Sequence, residues 1–211
     1  MNKILRYILL VVGLFINSLG VSVITKANLG TSPISSIPYT LSLGFKPTLG
    51  QFTIAFSILL IIFQIIILRK DFEKEQLLQI PVSIIFGYFI DFTMNILYFL
   101  NPQLYIWRIF SLLIGCIVLG FGVYIEVLAD VVMLPGEGFV RAVTKKTGSE
   151  FGITKVCFDI TMSLSACIIS FILFSELKGV REGTIISAVI VGLIARFFGK
   201  TLGKFKVLLC N

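Results

Sequence analysis

The sequence predicts an all-α membrane protein built from two fused repeats in inverted orientation, and three observations support this prediction. The composition is too apolar for a soluble domain, six long hydrophobic runs follow one another, and the chain resembles itself at a spacing of about 102 residues. Hydrophobic residues make up 57% of the chain and charged residues 14%, whereas a soluble domain carries about 25% charged residues. The lipid bilayer is therefore an expected partner.

The net charge of +7 does not indicate a nucleic-acid partner, because the basic residues lie at the edges of apolar runs, as in cytoplasmic loops. Histidine is absent and the four cysteines lack metal-ligand spacing. No metal site and no cofactor are expected. Because a serine elbow and a phosphate-binding glycine loop are also absent, the sequence favours neither an enzyme nor coupling to ATP within this chain.

Six apolar runs have about the 20 residues that a helix needs to cross the hydrocarbon core. They are residues 4–25, 49–68, 77–100, 106–128, 151–174 and 183–198. The first six residues carry two positive charges, Lys3 and Arg6, and no soluble domain follows the first run. This pattern favours an uncleaved first helix with a cytoplasmic N-terminus over a signal peptide.

Two further stretches, residues 31–45 and 134–147, do not suit a full span. The first contains Pro33 and Pro38, and at 1.5 Å per residue it covers about 22 Å of a core about 30 Å thick. The second carries four charges, Glu137, Arg141, Lys145 and Lys146. Because lipid-facing charges cost about 2.5–3.5 kcal/mol each, both stretches are predicted to be re-entrant half-helices.

The two short stretches coincide when the chain is aligned with itself. The matches include Gly13 with Gly115, Gly20 with Gly122, Ala27 with Ala129, Pro33 with Pro135, Gly50 with Gly152 and Phe56 with Phe158. Aligned prolines and glycines in one order indicate duplication. The predicted repeats are residues 1–103 and 104–211, each with the order helix, half-helix, helix, helix.

The charges favour an inverted arrangement of these repeats. If each half-helix returns to the side it entered from, each repeat crosses the membrane three times and the second repeat is inverted. Both termini are then cytoplasmic, as are Arg69, Lys70, Lys74, Lys145, Lys146, Lys200, Lys204 and Lys206, in agreement with the positive-inside rule. The exceptions, which fall outside, are Lys26, Lys46, Lys178 and Arg181. Eight full spans would instead place the uncharged turn 101–105 inside.

The N-termini of the half-helices are the first candidate site. A helix N-terminus presents unpaired N–H groups and a partial positive charge, and two such ends meeting near the midplane form a polar site in many transporters. The residues concerned are Asn28, Thr31 and Ser32 in the first repeat and Gly136 and Glu137 in the second. The structural alternative is that both are tight turns required by packing.

Charged residues within the apolar runs form the second candidate site. Glu126 and Asp130 are four residues apart, so they share a helix face, and neither has a basic partner at helical spacing. They suit binding of a proton or cation, although Asp130 could instead be a solvated carboxylate at an aqueous mouth. Two pairs at the same spacing could neutralise each other locally, Glu137 with Arg141 and Lys155 with Asp159.

Asp91 and Arg196 occupy matching places in the last helix of each repeat. Small residues flank both, so a buried ion pair across the pseudo-symmetry axis is predicted. Asn17 and Gln51 are polar residues in otherwise apolar helices, and both are predicted to line the site of the first repeat. The alternative for these two is hydrogen bonding between helices.

Residues 20–33, with the run Leu29-Gly30-Thr31-Ser32-Pro33 and Gly50-Gln51 after it, resemble the YczE/YyaS/YitT group of bacterial membrane proteins. The resemblance covers the first two-thirds of the chain and continues more weakly to its end. It implies a small multi-pass protein of the cytoplasmic membrane and implies no substrate. The second copy of the motif departs from this form at residues 133–135, so the two half-sites are not equivalent.

These features predict a secondary transporter that moves a small polar or charged solute by alternating access. Three acidic residues, Glu126, Asp130 and Glu137, would bind a coupling ion or a cationic group. The N–H groups near Thr31, Ser32 and Gly136, with Arg141, would bind an anionic group. The rival prediction is a non-transporting scaffold or accessory subunit with a dry, fully paired interior, and a homo-oligomer is compatible with either.

Overall fold

The computed structural model describes residues 3–201, and over this range the chain is all helical. The predicted cytoplasmic residues Lys204 and Lys206 lie outside the described residues. The helices are α1 (Lys3–Lys26), α2 (Pro33–Gly44), α3 (Leu49–Leu68), α4 (Gln79–Ile96), α5 (Tyr105–Ala129), α6 (Pro135–Thr147), α7 (Phe151–Phe174) and α8 (Glu182–Thr201). Short 3-10 turns at Arg69–Asp71, Lys74–Leu78 and Leu97–Phe99 lie between or at the ends of these helices.

Six of these helices are long and apolar enough to cross a membrane, with mean hydropathies between 1.6 and 2.5. They are α1, α3, α4, α5, α7 and α8, which confirms the predicted multi-pass helical character. The other two, α2 and α6, have 12 and 13 residues. At 1.5 Å per residue they are about 18–20 Å long, so neither reaches across a hydrocarbon core of about 30 Å.

Local sequence explains where the two short helices begin and end. Pro33 and Pro135 each occupy a first-turn position, where proline lacks only an N–H that has no partner within the helix. The left-handed backbone of Gly148 (φ 72°) ends α6, as is common for a glycine after the last helical turn. After α2, the side chain of Thr48 accepts a hydrogen bond from the backbone N–H of Gln51 and so caps α3.

The centre of the bundle is the antiparallel packing of α1 against α5. Glycines bring the two backbones together, because a Cβ at Gly20 would lie 2.5 Å from the backbone nitrogen of Leu119. Contacts run in opposite order along the helices, with Gly13 against Glu126, Asn17 against Gly122, Gly20 against Leu119 and Ile24 against Gly115. Close approach through small residues is typical of helix pairs in membranes, where van der Waals packing drives association.

The remaining helices surround this pair. Helix α1 also packs against α4, and α5 packs against α8. Helix α2 lies against α7 and α3, while α6 lies against α3 and α7. Helices α3 and α4 pack against each other, whereas α7 and α8 share no extended contact. The main apolar core lies among α1, α4 and α5 and includes Leu14, Ile24, Ile90 and Leu112, all fully buried.

Hydroxyl groups connect the apolar helices within this core. The hydroxyls of Ser22 on α1 and Thr93 on α4 lie 2.7 Å apart, and Thr93 also contacts the carbonyl of Ser18 at 3.3 Å. No buried side-chain nitrogen or oxygen within residues 3–201 lacks a hydrogen-bond partner. The described interior is therefore fully paired, as the cost of burying an unpaired polar group requires.

Candidate functional site

The N-terminal turns of the two short helices contact each other. The side chain of Ile34 in the first turn of α2 lies against Gly136 in the first turn of α6, and a Cβ added at Gly136 would overlap it. The self-alignment of the sequence places these two positions opposite each other. A glycine at residue 136 is therefore what allows the two ends to approach.

The two residues that precede α2, Thr31 and Ser32, make hydrogen bonds within the protein. The backbone N–H of Thr31 donates to Thr184 Oγ1 at 3.3 Å, and the hydroxyls of Thr31 and Thr25 lie 3.0 Å apart. Ser32 donates through its hydroxyl to that of Ser35 at 3.0 Å. Thr31 and Ser32 are thus buried and paired in this conformation. Asn28, also predicted as a site residue, is exposed, with a left-handed backbone (φ 58°).

A pair of buried glutamines lies beside the N-terminus of α6. Gln64 on α3 and Gln79 on α4 exchange two amide hydrogen bonds of 3.0 and 3.2 Å, and Gln64 also donates to the carbonyl of Pro135 at 3.2 Å. Gly138 packs against both side chains, because a Cβ there would lie 2.8 Å from each amide. Sequence reasoning missed this pair. Two glutamines at the ends of apolar runs were the available signal.

Acidic side chains lie close to the N-terminal turns of the two short helices, α2 and α6. Glu126 near the end of α5 is buried and accepts a hydrogen bond of 2.7 Å from Asn17 Nδ2 on α1. Glu137 in the first turn of α6 is half-buried and interacts electrostatically with Glu126 and with the ion pair between Lys155 and Asp159. That pair lies on α7, with Nζ and Oδ1 2.5 Å apart. We call these five residues the acid cluster.

The acid cluster combines four helices, three carboxyl groups, one ammonium and one amide. The predicted local pair of Lys155 with Asp159 is formed. Glu126 and Glu137, which the sequence predicts to bind one coupling ion together with Asp130, are near enough to interact electrostatically. With all groups ionised the cluster carries more negative than positive charge, so a bound proton or cation would relieve its repulsion.

Asp130 and Arg141 do not join the acid cluster. The Asp130 side chain is 81% exposed, and its carboxylate pairs with Arg6 Nη2 at 3.0 Å at the aqueous end of α1. The alternative prediction of a solvated carboxylate therefore fits better than shared ion binding with Glu126. Arg141 is exposed and makes no ion pair with Glu137 within residues 3–201, so the alternative in which these two residues neutralise each other is wrong. The physical reason is that Glu137 faces the interior and Arg141 faces a cavity.

That cavity, about 220 Å³ in volume, lies between α6 and the connection from α3 to α4. It extends to Gln79 at the start of α4 and to Gly138 in the first turn of α6. That turn is the one in which Gly136 contacts α2. Its charged lining consists of Glu73, Glu75, Arg141 and Lys145. Groups of both signs face this space, which suits a small solute that carries both charges or a polar group.

The prediction for Gln51 as a site-lining residue is also corrected. Gln51 is exposed. Its side chain accepts a hydrogen bond from the backbone N–H of Thr48 at 3.1 Å, completing a capping box at the start of α3. The residue stabilises a helix end.

The predicted ion pair between Asp91 and Arg196 is wrong. Asp91 accepts hydrogen bonds from the Thr48 hydroxyl at 2.6 Å and from the backbone N–H of Gly50 at 2.8 Å, while Arg196 is exposed on α8. The N–H groups and partial positive charge at the start of α3 satisfy the carboxylate. Helix α8 packs against α5 and α2, away from α4.

Six candidate spans, an all-helical described chain and extensive apolar exposure define a multi-pass membrane protein. The chain belongs to a family of unknown function, DUF6198, whose pattern matches residues 4–200. It is similar to two proteins of Bacillus subtilis (strain 168). "Uncharacterized membrane protein YczE" is 29% identical over 92% of this chain and 85% of its own length. "Uncharacterized protein YyaS" is 25% identical over 92% of each chain.

These matches confirm the resemblance given by the sequence motif around residues 29–33. The name of YczE says only that it is a membrane protein, and the name of YyaS says less. Neither name identifies a solute or a reaction. No solved structure matches the chain.

Proposed function

We propose that this protein is a secondary transporter that moves a small polar or charged solute across the bacterial cytoplasmic membrane by alternating access. The observation that carries the proposal is the acid cluster beside the contacting half-helix ends. Buried carboxyl groups within a membrane are costly unless they are paired or used, and they mark ion and substrate pathways in transporters. In this proposal Glu126 and Glu137 bind the coupling ion or a cationic group of the solute.

An inverted repeat is part of the proposal. The first helices of the two halves, α1 and α5, run antiparallel, and their contacts occur in matched pairs. Gly20 against Leu119 and Gly122 against Asn17 exchange places in the self-alignment of the sequence. In the proposal α2 and α6 are re-entrant and both termini are cytoplasmic, an arrangement that follows the inverted-repeat plan of many secondary transporters.

The cavity lies beside the proposed site, because Gly138 on its wall directly follows Glu137 in α6. Arg141 and Lys145 on its wall offer positive charge to an anionic group, while Glu137 lies in the same helix as Arg141. In the first repeat, where an anion was predicted to bind, the backbone N–H of Thr31 donates to Thr184 Oγ1 and the hydroxyl of Ser32 donates to that of Ser35. The site proposed here therefore belongs mainly to the second repeat. Catalysis, a cofactor and a metal are not part of the proposal.

Uptake into proteoliposomes tests this function. Purified protein is reconstituted and supplied with a panel of labelled cationic, anionic and zwitterionic solutes, with and without a proton or sodium gradient. We expect gradient-dependent uptake of one solute class. We expect Glu137→Gln to lower it at least tenfold, because the variant keeps the shape of the side chain and removes its charge. Glu150→Gln, at an exposed position before α7, is the matched control and should transport like the wild type.

No flux for any solute class would overturn the proposal, as would an unchanged flux in Glu137→Gln. The second candidate function is a non-transporting scaffold or accessory subunit. The fully paired interior of the described chain favours it, as does the close packing of Ile34 on Gly136. It requires a stable complex with another membrane protein, detected by cross-linking in native membranes, and persistence of that complex in Glu137→Gln.

A further inference from the structure

Helices α3 and α4 are joined near one end of the bundle by a close contact of two glycines. A Cβ at Gly87 would lie 2.7 Å from the carbonyl oxygen of Gly50, and a Cβ at Gly50 would overlap the carbonyl of Gly87. The carboxylate of Asp91 holds the same contact, through its hydrogen bonds to Thr48 and Gly50. We call this the α3–α4 clamp.

The second repeat has the same two glycines without the contact. Gly152 aligns with Gly50, and Gly192 aligns with Gly87 at the spacing of about 105 that also aligns Asp91 with Arg196. Within the described part of the chain, a Cβ at Gly192 would meet nothing within 4 Å, and one at Gly152 would meet only Glu150, at 3.7 Å. Each of these helices contains an 18-residue window that is its most apolar part. In that window 17% of the residues are buried in α7 and in α8, whereas 33% are buried in α3 and in α4. The second pair of helices is therefore open where the first is closed.

The segments that follow α1 and α5 are also equivalent in the two repeats, and here too the first is closed and the second is open. After α1, the carbonyl of Leu29 accepts a hydrogen bond of 2.7 Å from the backbone N–H of Gly183, and Gly30 packs tightly against Thr184. The equivalent segment after α5, residues 131–133, instead lines the cavity together with Gln79. Among residues 3–201, two contacts thus seal one end of the bundle, and the opposite end lacks both of their counterparts.

We infer that the structure is one of two states in which the repeats exchange roles, and that Gly152 packs on Gly192 in the other state. The inference rests on the proposed transport function, whose alternating access it specifies. In the second state α7 and α8 close as α3 and α4 do here, the α3–α4 clamp separates, and the cavity at residues 131–133 is sealed. Packed interfaces support such switches because they have discrete arrangements. Opening then alternates between the two ends of the bundle.

Cysteine cross-linking in liposomes tests the exchange. Gly152→Cys and Gly192→Cys are combined in a chain whose own cysteines are replaced by serine or alanine at residues 116, 157, 167 and 210. A disulfide requires Cα atoms within about 7 Å, so oxidation reports closure of α7 on α8. We expect a bridge within one chain, forming about tenfold faster when Asp91→Asn is added, because the α3–α4 clamp loses its charge-assisted hydrogen bonds. Asp71→Asn, at an exposed position, is the charge-matched control and should leave the rate unchanged.

The outcomes separate this inference from its rivals. A bridge between two chains would overturn it, since a second copy would then cover the open face. Absence of any bridge, with or without Asp91→Asn, would also overturn it. If the doubly substituted chain does not fold, maleimide labelling of the single variant Gly192→Cys replaces the cross-linking test. Adding Gly87→Leu should force the α3–α4 clamp apart and so favour the state in which α7 covers residue 192. The labelling rate of Gly192→Cys should therefore fall. Unchanged labelling would contradict the exchange.

Cross-linking needs no solute, so the exchange and the transport function can fail separately. A bridge within one chain without flux for any solute leaves the exchange intact and removes transport. Flux without a bridge retains transport and removes the role of Gly152 and Gly192.

Discussion

Replacing Asn17 by leucine removes the only side-chain hydrogen bond described for the carboxylate of Glu126, at the centre of the bundle. The carboxylate then remains buried without that donor. An unsatisfied buried group costs about 1–3 kcal/mol, while hydrogen bonds between membrane helices measured by double-mutant cycles average about 0.6 and reach about 1.7 kcal/mol. We expect Asn17→Leu to lower the free energy of unfolding by about 1–2 kcal/mol.

The repeat provides the matched rescue. The positions equivalent to Asn17 and Glu126 are Leu119 and Ile24, an apolar pair on the same α1–α5 interface. The double variant Asn17→Leu/Glu126→Ile copies that pair, so it should recover most of the stability lost in the single variant. Replacing both partners of a hydrogen bond by apolar groups of suitable shape can be nearly neutral. The double variant should nonetheless lose solute flux.

Reversible unfolding by SDS in mixed micelles, followed by circular dichroism, measures these free energies. Thr161→Leu is the control, because its exposed hydroxyl bonds only the carbonyl of Cys157 one turn earlier in the same helix. It should change stability by less than about 0.5 kcal/mol. The reasoning is refuted if Asn17→Leu behaves like Thr161→Leu. It is also refuted if the double variant loses as much free energy of unfolding as Asn17→Leu and Glu126→Ile lose together as single variants.

Three further expectations concern packing and charge. Gly20→Ala should destabilise by about 1–3 kcal/mol in the same unfolding assay, because its Cβ meets the backbone of α5; Gly192→Ala, in open space, should not. Gln64→Leu should cost about 1–3 kcal/mol by leaving the amide of Gln79 unpaired, and the matching double substitution to leucine should recover part of this loss. Arg6→Gln should cost under about 1 kcal/mol, less at high salt, because its ion pair is exposed.

The helices and their order followed from the sequence, because apolar runs and prolines act locally. The ends of α3 and α7 were predicted to the residue, and both short helices begin at the aligned prolines. The close packing of α1 on α5 was not predicted, although the glycines at that contact are ones that align between the two repeats. Which glycines meet a neighbour and which, like Gly192, face open space depends on packing angles that no local pattern specifies.

Only part of the candidate site could be predicted from the sequence. Glu126 and Glu137 were singled out because acids buried in a membrane are costly unless they are paired or used, and in the structure they are near enough to interact electrostatically. Asp91 was assigned the wrong partner because sequence matching cannot show that a helix N-terminus, here that of α3, will satisfy a carboxylate. The Gln64–Gln79 pair was missed since each residue alone resembles an ordinary polar residue at the end of a span.

Cysteine accessibility at four positions tests the inverted, re-entrant arrangement most directly. Single cysteines replace Asn28 and Lys46, which flank α2, and Asp130 and Ser149, which flank α6, in a chain without other cysteines. An impermeant maleimide is then applied to intact cells and to inside-out vesicles. We expect positions 28 and 46 to label from the outer face, and positions 130 and 149 from the cytoplasmic face. Labelling of positions 28 and 46 from opposite faces would show that α2 spans the membrane, and would contradict the re-entrant, inverted arrangement.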